Sequence, residues 1–447
     1  MVDRICYLYE QNQYDVDAIA HWVEPHIPAE PGQCVFVKPN MVINPWRNQE
    51  YRWVATVTHP SLIEATLIVL KTKMCGTGRV IIGDAPMARS NHDETLSLLR
   101  LEEIIKKYET NTFQIELIDI RDWYWKYIGT MCVSRKRLPG DPRGVKMVNL
   151  KSDSAFANKC NKNYEAFDDI QPVSEFHNEV DNIFSISASI LSADLVINLP
   201  KLKTHRIAGM TCAMKNLVGI NANKNCVPHN TCGTDAVGGD VCPANAQNVK
   251  DETKGVGGVA RKILRKKMPW LNYCFVPVKM IYDLFQKEDH KRIGYGMWHG
   301  NDTIWRSIVD LNRILLYANK SGEMTDCVQR KYVCIVDAIV AGQGEGPLYP
   351  DPIQTNMLLV SSNPVVVDTV ACEIIGFDWC ALPFITHSFN QHMKYPLVDF
   401  KHDEIVISKG DETIKLQEVR EKYSFDFAPT SGWKGHVEKH VQIEHET

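Results

Sequence analysis

The densest group of chemistry-bearing side chains in this 447-residue sequence runs from Asn198 to Asn216 and reads Asn-Leu-Pro-Lys-Leu-Lys-Thr-His-Arg-Ile-Ala-Gly-Met-Thr-Cys-Ala-Met-Lys-Asn. Lys201 and Lys203 flank Leu202, so an extended backbone sends both ammonium groups the same way. His205 and Arg206 are expected to open a helix on which Thr211 and Lys215, four residues apart, share a face. Cations gathered at a helix N-terminus suit phosphate or carboxylate. Lys201, Lys203, Thr204 and Asn216 are therefore read as ligand-binding groups, with His205 and Lys215 as the catalytic acid–base pair. A solvated basic loop leading into a helix packed through Met210 and Met214 is the plainer alternative, and Pro200, which fixes the turn beside the cations, argues against it.

Two further clusters carry chemistry. Cys226, His229, Cys232 and Cys242 follow in a stretch rich in Gly, Asn and Pro. Thiolates and an imidazole on a loop that can wrap an ion suit zinc or an iron–sulphur cluster, although no Cys-x2-Cys pair occurs there. The run Gly342-Gln-Gly-Glu-Gly-Pro347 is expected to be a glycine-rich loop after a strand. It fits neither the dinucleotide fingerprint nor a Walker loop. Gly344 is read as a point of close backbone approach, with Asp337 and Glu345 as acid, base or ligand.

These residues need a scaffold, and short apolar runs ending in polar or Gly/Pro residues supply its outline. Cys34 to Val37 ends at Lys38-Pro39-Asn40, Arg79 to Ile82 at Gly83-Asp84, Asp194 to Leu199 at Pro200-Lys201, and Tyr332 to Val336 at Asp337. Met357 to Val360 is a fifth strand candidate. Helices are expected at Pro60 to Cys75, at Ile304 to Tyr317 with Trp305, Arg306, Asp310 and Arg313 off the apolar stripe, and from Asn363-Pro364 to a stop at Gly376. The alternation predicts an α/β fold: a mostly parallel sheet with helices on both faces, plus a loop-rich insertion. Ligands of such sheets bind beyond the strands' carboxyl ends, which adds Lys38, Asn40 and Asp84 to the ligand-binding set. The organisation predicted is an N-terminal core over 1–220, an insertion or lid over 221–300, a C-terminal segment completing the core over 301–430, and a tail over 431–447.

Composition excludes some functions. With 50 Lys+Arg against 54 Asp+Glu the formal net charge is −4, which offers no footprint for nucleic acid. The charge is segregated: between Lys254 and Arg292 ten Lys and Arg face Asp283, Glu288 and Asp289, a local net of +7. Arg261 to Phe285 accordingly reads as a basic, aromatic element for a membrane surface or a subunit contact in a homo-oligomer. No apolar run reaches the roughly 18 residues of a spanning helix. Fourteen irregularly spaced cysteines and an N-terminus without a signal profile predict free thiols in a reducing cytoplasm.

Taken together, Lys38-Pro39-Asn40, Thr58-His59-Pro60, Gly83-Asp84, the Lys-Leu-Lys-Thr-His element with Met214-Lys-Asn-Leu-Val-Gly-Ile-Asn221, Gly300-Asn-Asp-Thr-Ile-Trp305, Asp310-Leu-Asn312, Asp337 through Gly-Glu-Gly-Pro347, and Asn363-Pro364 with Asp368 resemble the domain of unknown function 362 family over roughly residues 30 to 390. Many members carry a ferredoxin-like cysteine module, which the resemblance alone does not bring here because the Cys-x2-Cys-x2-Cys-x3-Cys-Pro run is absent. A looser similarity to nickel-pincer lactate racemases implies proton or hydride exchange beside a carboxylate. The function expected is an enzyme acting on a small anionic metabolite through Lys/His chemistry, isomerase-like or oxidoreductive. The alternatives are a metal or iron–sulphur redox protein built on the Cys226 loop, and a non-catalytic membrane- or partner-binding protein.

Overall fold

In the apolar runs read from the sequence, alternate residues enter two different hydrophobic cores, as a sheet covered on both faces requires. Val35, Val37, Val80, Ile82, Leu195, Ile197, Val333 and Ile335 share one core, while Phe36, Ile81, Val196, Cys334 and Val336 belong to the other. The computed structural model describes residues 4–44, 50–128, 131–166, 172–245, 270, 294–390 and 393–439. The element Arg261 to Phe285 lies, but for Trp270, outside the described residues. Among those described, no helix is long and apolar enough to cross a membrane.

The main sheet comprises β1 (Ile5–Glu10), β2 (Cys34–Pro39), β3 (Gly78–Asp84), β4 (Phe113–Asp119), β5 (Leu195–Leu199), β6 (Lys201–His205), β7 (Gly209–Thr211), β8 (Lys331–Glu345), β9 (Tyr349–Ser361), β10 (Val406–Lys409) and β11 (Glu412–Ile414). Its order is β11-β10-β1-β9-β8-β5-β2-β3-β4, with β6 beside β8 and β7 beside β6. The block β8-β5-β2-β3-β4 is parallel; β9 runs antiparallel to both β8 and β1. The fold is α/β, as expected. Helix Pro60–Lys73 covers one face through Leu62, Ile63, Leu67 and Leu70. Helices Ile304–Tyr317 and Pro364–Ile375 cover the other. Asn363 caps the latter by accepting from the Val365 amide, and Gly376 ends it with φ +78°, a conformation that favours glycine.

Three expectations are corrected. No helix begins at His205: β6 turns back as β7 in an antiparallel hairpin, and the helix starts only at Ala213. Gly342 to Glu345 form no loop; they continue β8 and pair with Tyr349 to Pro352 of β9. In Ile304–Tyr317 the residues set off the apolar stripe are buried too, Arg306 excepted, and Asp310 accepts from Ser154 Oγ and the Ala155 amide.

The junction of β5, β6 and β8 explains the placement of Lys201. The Pro200 carbonyl accepts from the Asp337 amide at 2.9 Å, and Lys201 stands opposite Asp337 before the register shifts to set Lys203 opposite Gly342. Lys201 Nζ lies 2.5 Å from Asp337 Oδ2 with both side chains fully buried. Tyr14 OH and the His59 amide donate to the same carboxylate, each at 2.8 Å. A buried pair is costly to break singly, since the survivor keeps its charge without its partner. Lys201→Met should therefore lose about 3–5 kcal/mol in urea unfolding, and Lys201→Met/Asp337→Leu should recover part of that loss. An unchanged single-variant midpoint would show that the pair does not support the junction.

Candidate anion-binding active site

Beyond the carboxyl ends of β2 and β3 lies a cavity of about 450 Å³. Asn40 follows β2 into it and Asp84 ends β3 beside it; β6 contributes Lys203 and His205, β7 contributes Thr211, and the short helix Ala213–Asn216 contributes Lys215 and Asn216. Arg89, Lys224 and His229 enter from loops. Val42, Ala85, Met87, Ile207, Val218 and Met297 make the remainder largely apolar.

The charges in this wall do not balance. Asp84 is the one carboxylate in the lining among the described residues, and it is already engaged: Lys38 Nζ lies 2.7 Å away and the Met41 amide donates at 2.8 Å. Gly219 packs so closely on this pair that a β-carbon there would overlap Asp84 Oδ1 and Lys38 Nζ. Lys203 Nζ is held by neutral oxygens, Asn40 Oδ1 at 3.2 Å and the Thr56 carbonyl. Burial, with Lys201 and Lys215 nearby, holds its proton affinity well below that of an ordinary lysine. Lys215 makes no hydrogen bond or ion pair among the described residues. It sits deep in the protein with part of its side-chain surface facing the cavity, and burial, then Lys224 and Lys38, bring its pKa down to about 8. Thr211, 3% exposed, has a hydroxyl without a hydrogen-bond partner among the described residues. Unsatisfied donors and uncompensated cations facing one cavity are what an anionic ligand would complete.

The two histidines are fixed in opposite senses. His205 Nδ1 accepts from the Ile207 and Ala208 amides at 3.1 and 3.2 Å, so the proton of the neutral ring resides on Nε2. Burial, then Lys215 and Lys203, hold its pKa well below the usual value. His205 thus presents a hydrogen-bond donor at Nε2. His229 Nδ1 lies 2.8 Å from the Val227 carbonyl, an acceptor, which leaves the ring's lone pair on Nε2. Burial and then Lys215 lower its pKa to about 3.

Support comes from behind the cavity. Asp368 caps Ala213–Asn216, accepting from the Ala213 and Met214 amides at 2.7 and 3.0 Å. Asn216 Oδ1 accepts from Asn40 Nδ2 at 2.9 Å, and Asn216 Nδ2 donates to Asn198 Oδ1 at 2.8 Å. The helix that carries Lys215 is therefore tied to both β2 and β5.

Of the residues singled out from sequence, Asn40, Asp84, Lys203, His205, Lys215, Asn216 and His229 meet at the cavity. Lys38 stands behind Asp84, and Lys201 and Asp337 pair with each other. Glu345 pairs with Arg206 at 3.0 Å and accepts from the Ser431 amide, and Thr204 Oγ1 donates to the Gly344 carbonyl at 2.8 Å. Lys38, Lys201, Thr204, Asp337, Gly344 and Glu345 do not line the cavity. The metal set does not assemble either: among the described residues no three His, Cys, Asp or Glu converge on a common point. Cys226 is fully buried, and burial raises its thiol far above the ordinary range, so it is a poor source of thiolate. Among the described residues, Cys226, His229, Cys232 and Cys242 thus form no common ligand set. Sequence reasoning missed Lys224 and Arg89. The latter lay within reach of the strand-end rule, five residues after Asp84.

An uncompensated cation opposes folding. The folded pKa of Lys215, about 8, lies below the ordinary 10.5, so its penalty is full below pH 8 and vanishes as pH rises to 10.5. Lys215→Met should raise stability at pH 7 by on the order of 2 kcal/mol, discounted for solvent in the cavity, and the gain should shrink between pH 8 and 10.5. Denaturant unfolding of both proteins across that range checks it; a Met variant less stable than the parent at pH 7 refutes it.

No curated protein matches the chain. A crystal structure of a protein from Thermotoga maritima, determined in a structural genomics programme, matches with a TM-score of 0.34 and 9% identity, covering 78% of this chain and 56% of that one. The chain thus spans little more than half of that protein's length. The family profile described as a domain of unknown function, 362 in its series, matches residues 35–135 and 152–373. Every residue lining the cavity falls within those two stretches, and the chain belongs to the domain of unknown function 362 family.

Proposed function

We propose that this protein is an enzyme that binds a small carboxylate- or phosphate-bearing metabolite in the cavity and moves a proton on it by Lys/His chemistry. The observation that supports this reading is the presence of Lys203 and Lys215 in a cavity whose one lining carboxylate among the described residues is already paired with Lys38. A volume of about 450 Å³ suits a small metabolite, and the apolar wall would take its carbon skeleton. Lys203, Lys215 and the Thr211 hydroxyl would receive the anion. The Nε2–H of His205 would donate to an oxygen on which charge develops. His229 would accept a proton at Nε2 once the anion offsets Lys215, whose charge helps keep that ring neutral. Binding and base strength would then be coupled.

The test is calorimetric titration with lactate and with sulfate between pH 6.5 and 9.5. Affinity should fall as pH rises through about 8, because the free protein then loses the Lys215 ammonium, by up to about tenfold per pH unit. Lys215→Met should bind at least about tenfold more weakly at pH 7 and show a flattened profile. Absence of binding by both anions in the parent protein would remove the reading.

A further inference from the structure

We infer that Lys215 is a nucleophile that forms an imine with the carbonyl carbon of a bound 2-oxo acid or aldehydic acid, an inference that rests on the anion-binding reading and names its substrate class. Three features of the geometry carry it. The Lys215 amine faces the cavity and is tied to no acceptor among the described residues, whereas the neighbouring Lys203 is fully buried and held on two oxygens. The backbone beneath Lys215 is fixed by Asp368 at the start of its short helix and by the Asn40–Asn216–Asn198 chain at its end, so the amine is delivered from a rigid base. His205, locked with its proton on Nε2, offers a donor to a carbonyl oxygen in the same cavity.

The chemistry balances without a cofactor. The nitrogen lone pair forms the C–N bond as the C=O π pair moves to oxygen. The two protons lost by nitrogen pass through solvent to that oxygen, which departs as water when the C=N bond closes. The substrate's anionic group, drawn in by the Lys215 ammonium, would be kept by Lys203 and the unpartnered Thr211 hydroxyl once Lys215 gives its proton to solvent and becomes the free amine that attacks. A pKa of about 8 gives Lys215 a far larger fraction of free amine near neutral pH than an ordinary lysine has. Taking one proton from solvent at nitrogen, the imine becomes an iminium that withdraws electrons from the adjacent carbon and so favours proton transfer there.

The experiment treats the intact protein with glyoxylate and sodium cyanoborohydride at pH 7.5, digests it and locates the reduced adduct by mass spectrometry, while lactate binding is measured in parallel. Lys215 should be labelled at least about tenfold faster than the average surface lysine, and sulfate should suppress that labelling. Lactate binding without preferential labelling of Lys215, including labelling that falls on Lys203, overturns the imine and leaves the anion site standing. Failure of both lactate binding and labelling overturns both. Because the label is read on the unmodified chain, the result does not depend on a variant that folds.

Discussion

A lysine ammonium can be withdrawn from water only if something replaces its hydration, and at the carboxyl end of this sheet four deeply placed lysines share two nearby carboxylates. Lys38 takes Asp84 and Lys201 takes Asp337, at 2.7 and 2.5 Å. Lys203 receives only amide and carbonyl oxygens, and Lys215 receives neither an acceptor nor a counter-charge among the described residues. The paired lysines hold strands together: one spans β2 and β3, the other β6 and β8. The unpaired ones face the cavity. Pairing thus separates the lysines bound to a carboxylate from those that line the cavity, and residue type alone does not.

The same backbone that sets this division also sets the proton positions. Because β6 returns as β7, the turn presents the Ile207 and Ala208 amides to His205 Nδ1. With Nδ1 engaged by these amides, His205 presents a hydrogen-bond donor at Nε2. The acceptor role shifts to His229, whose own Nδ1 faces a carbonyl. Both rings sit near Lys215, so an uncompensated ammonium discourages a second positive charge on either.

What was legible in the sequence follows physical range. The buried strands Cys34–Pro39, Gly78–Asp84 and Leu195–Leu199 announce themselves by continuous apolar character, and Pro364–Ile375 by its cap and glycine stop. These are local signals. The strand Lys201–His205 carries none, because its register partner, Asp337, is more than a hundred residues away and the pair is buried by mutual neutralisation. The ligand-like spacing of Cys226, His229, Cys232 and Cys242 misled for a related reason. Proximity in sequence says nothing about which side chains enter the core, and Cys226 does so while His229 turns to the cavity. Lys224 reaches the site from a turn whose Asn-rich sequence reads only as a loop.

The family match covers the cavity and leaves part of the surrounding sheet outside it. The cavity wall, Lys38 and the Lys201–Asp337 pair fall inside residues 35–135 and 152–373. The strands β1, β10 and β11 fall outside, and so does Tyr14, whose hydroxyl donates to Asp337. Ser431, which donates to Glu345 and so steadies the carboxylate that pairs with Arg206 at the cavity rim, is also outside. The matched portion therefore supplies the charges, while flanking segments satisfy the hydrogen-bonding capacity left on buried carboxylates. Asp337 and Glu345 are thus each committed to a cation and to a donor from the flanks, and neither carboxylate lines the cavity.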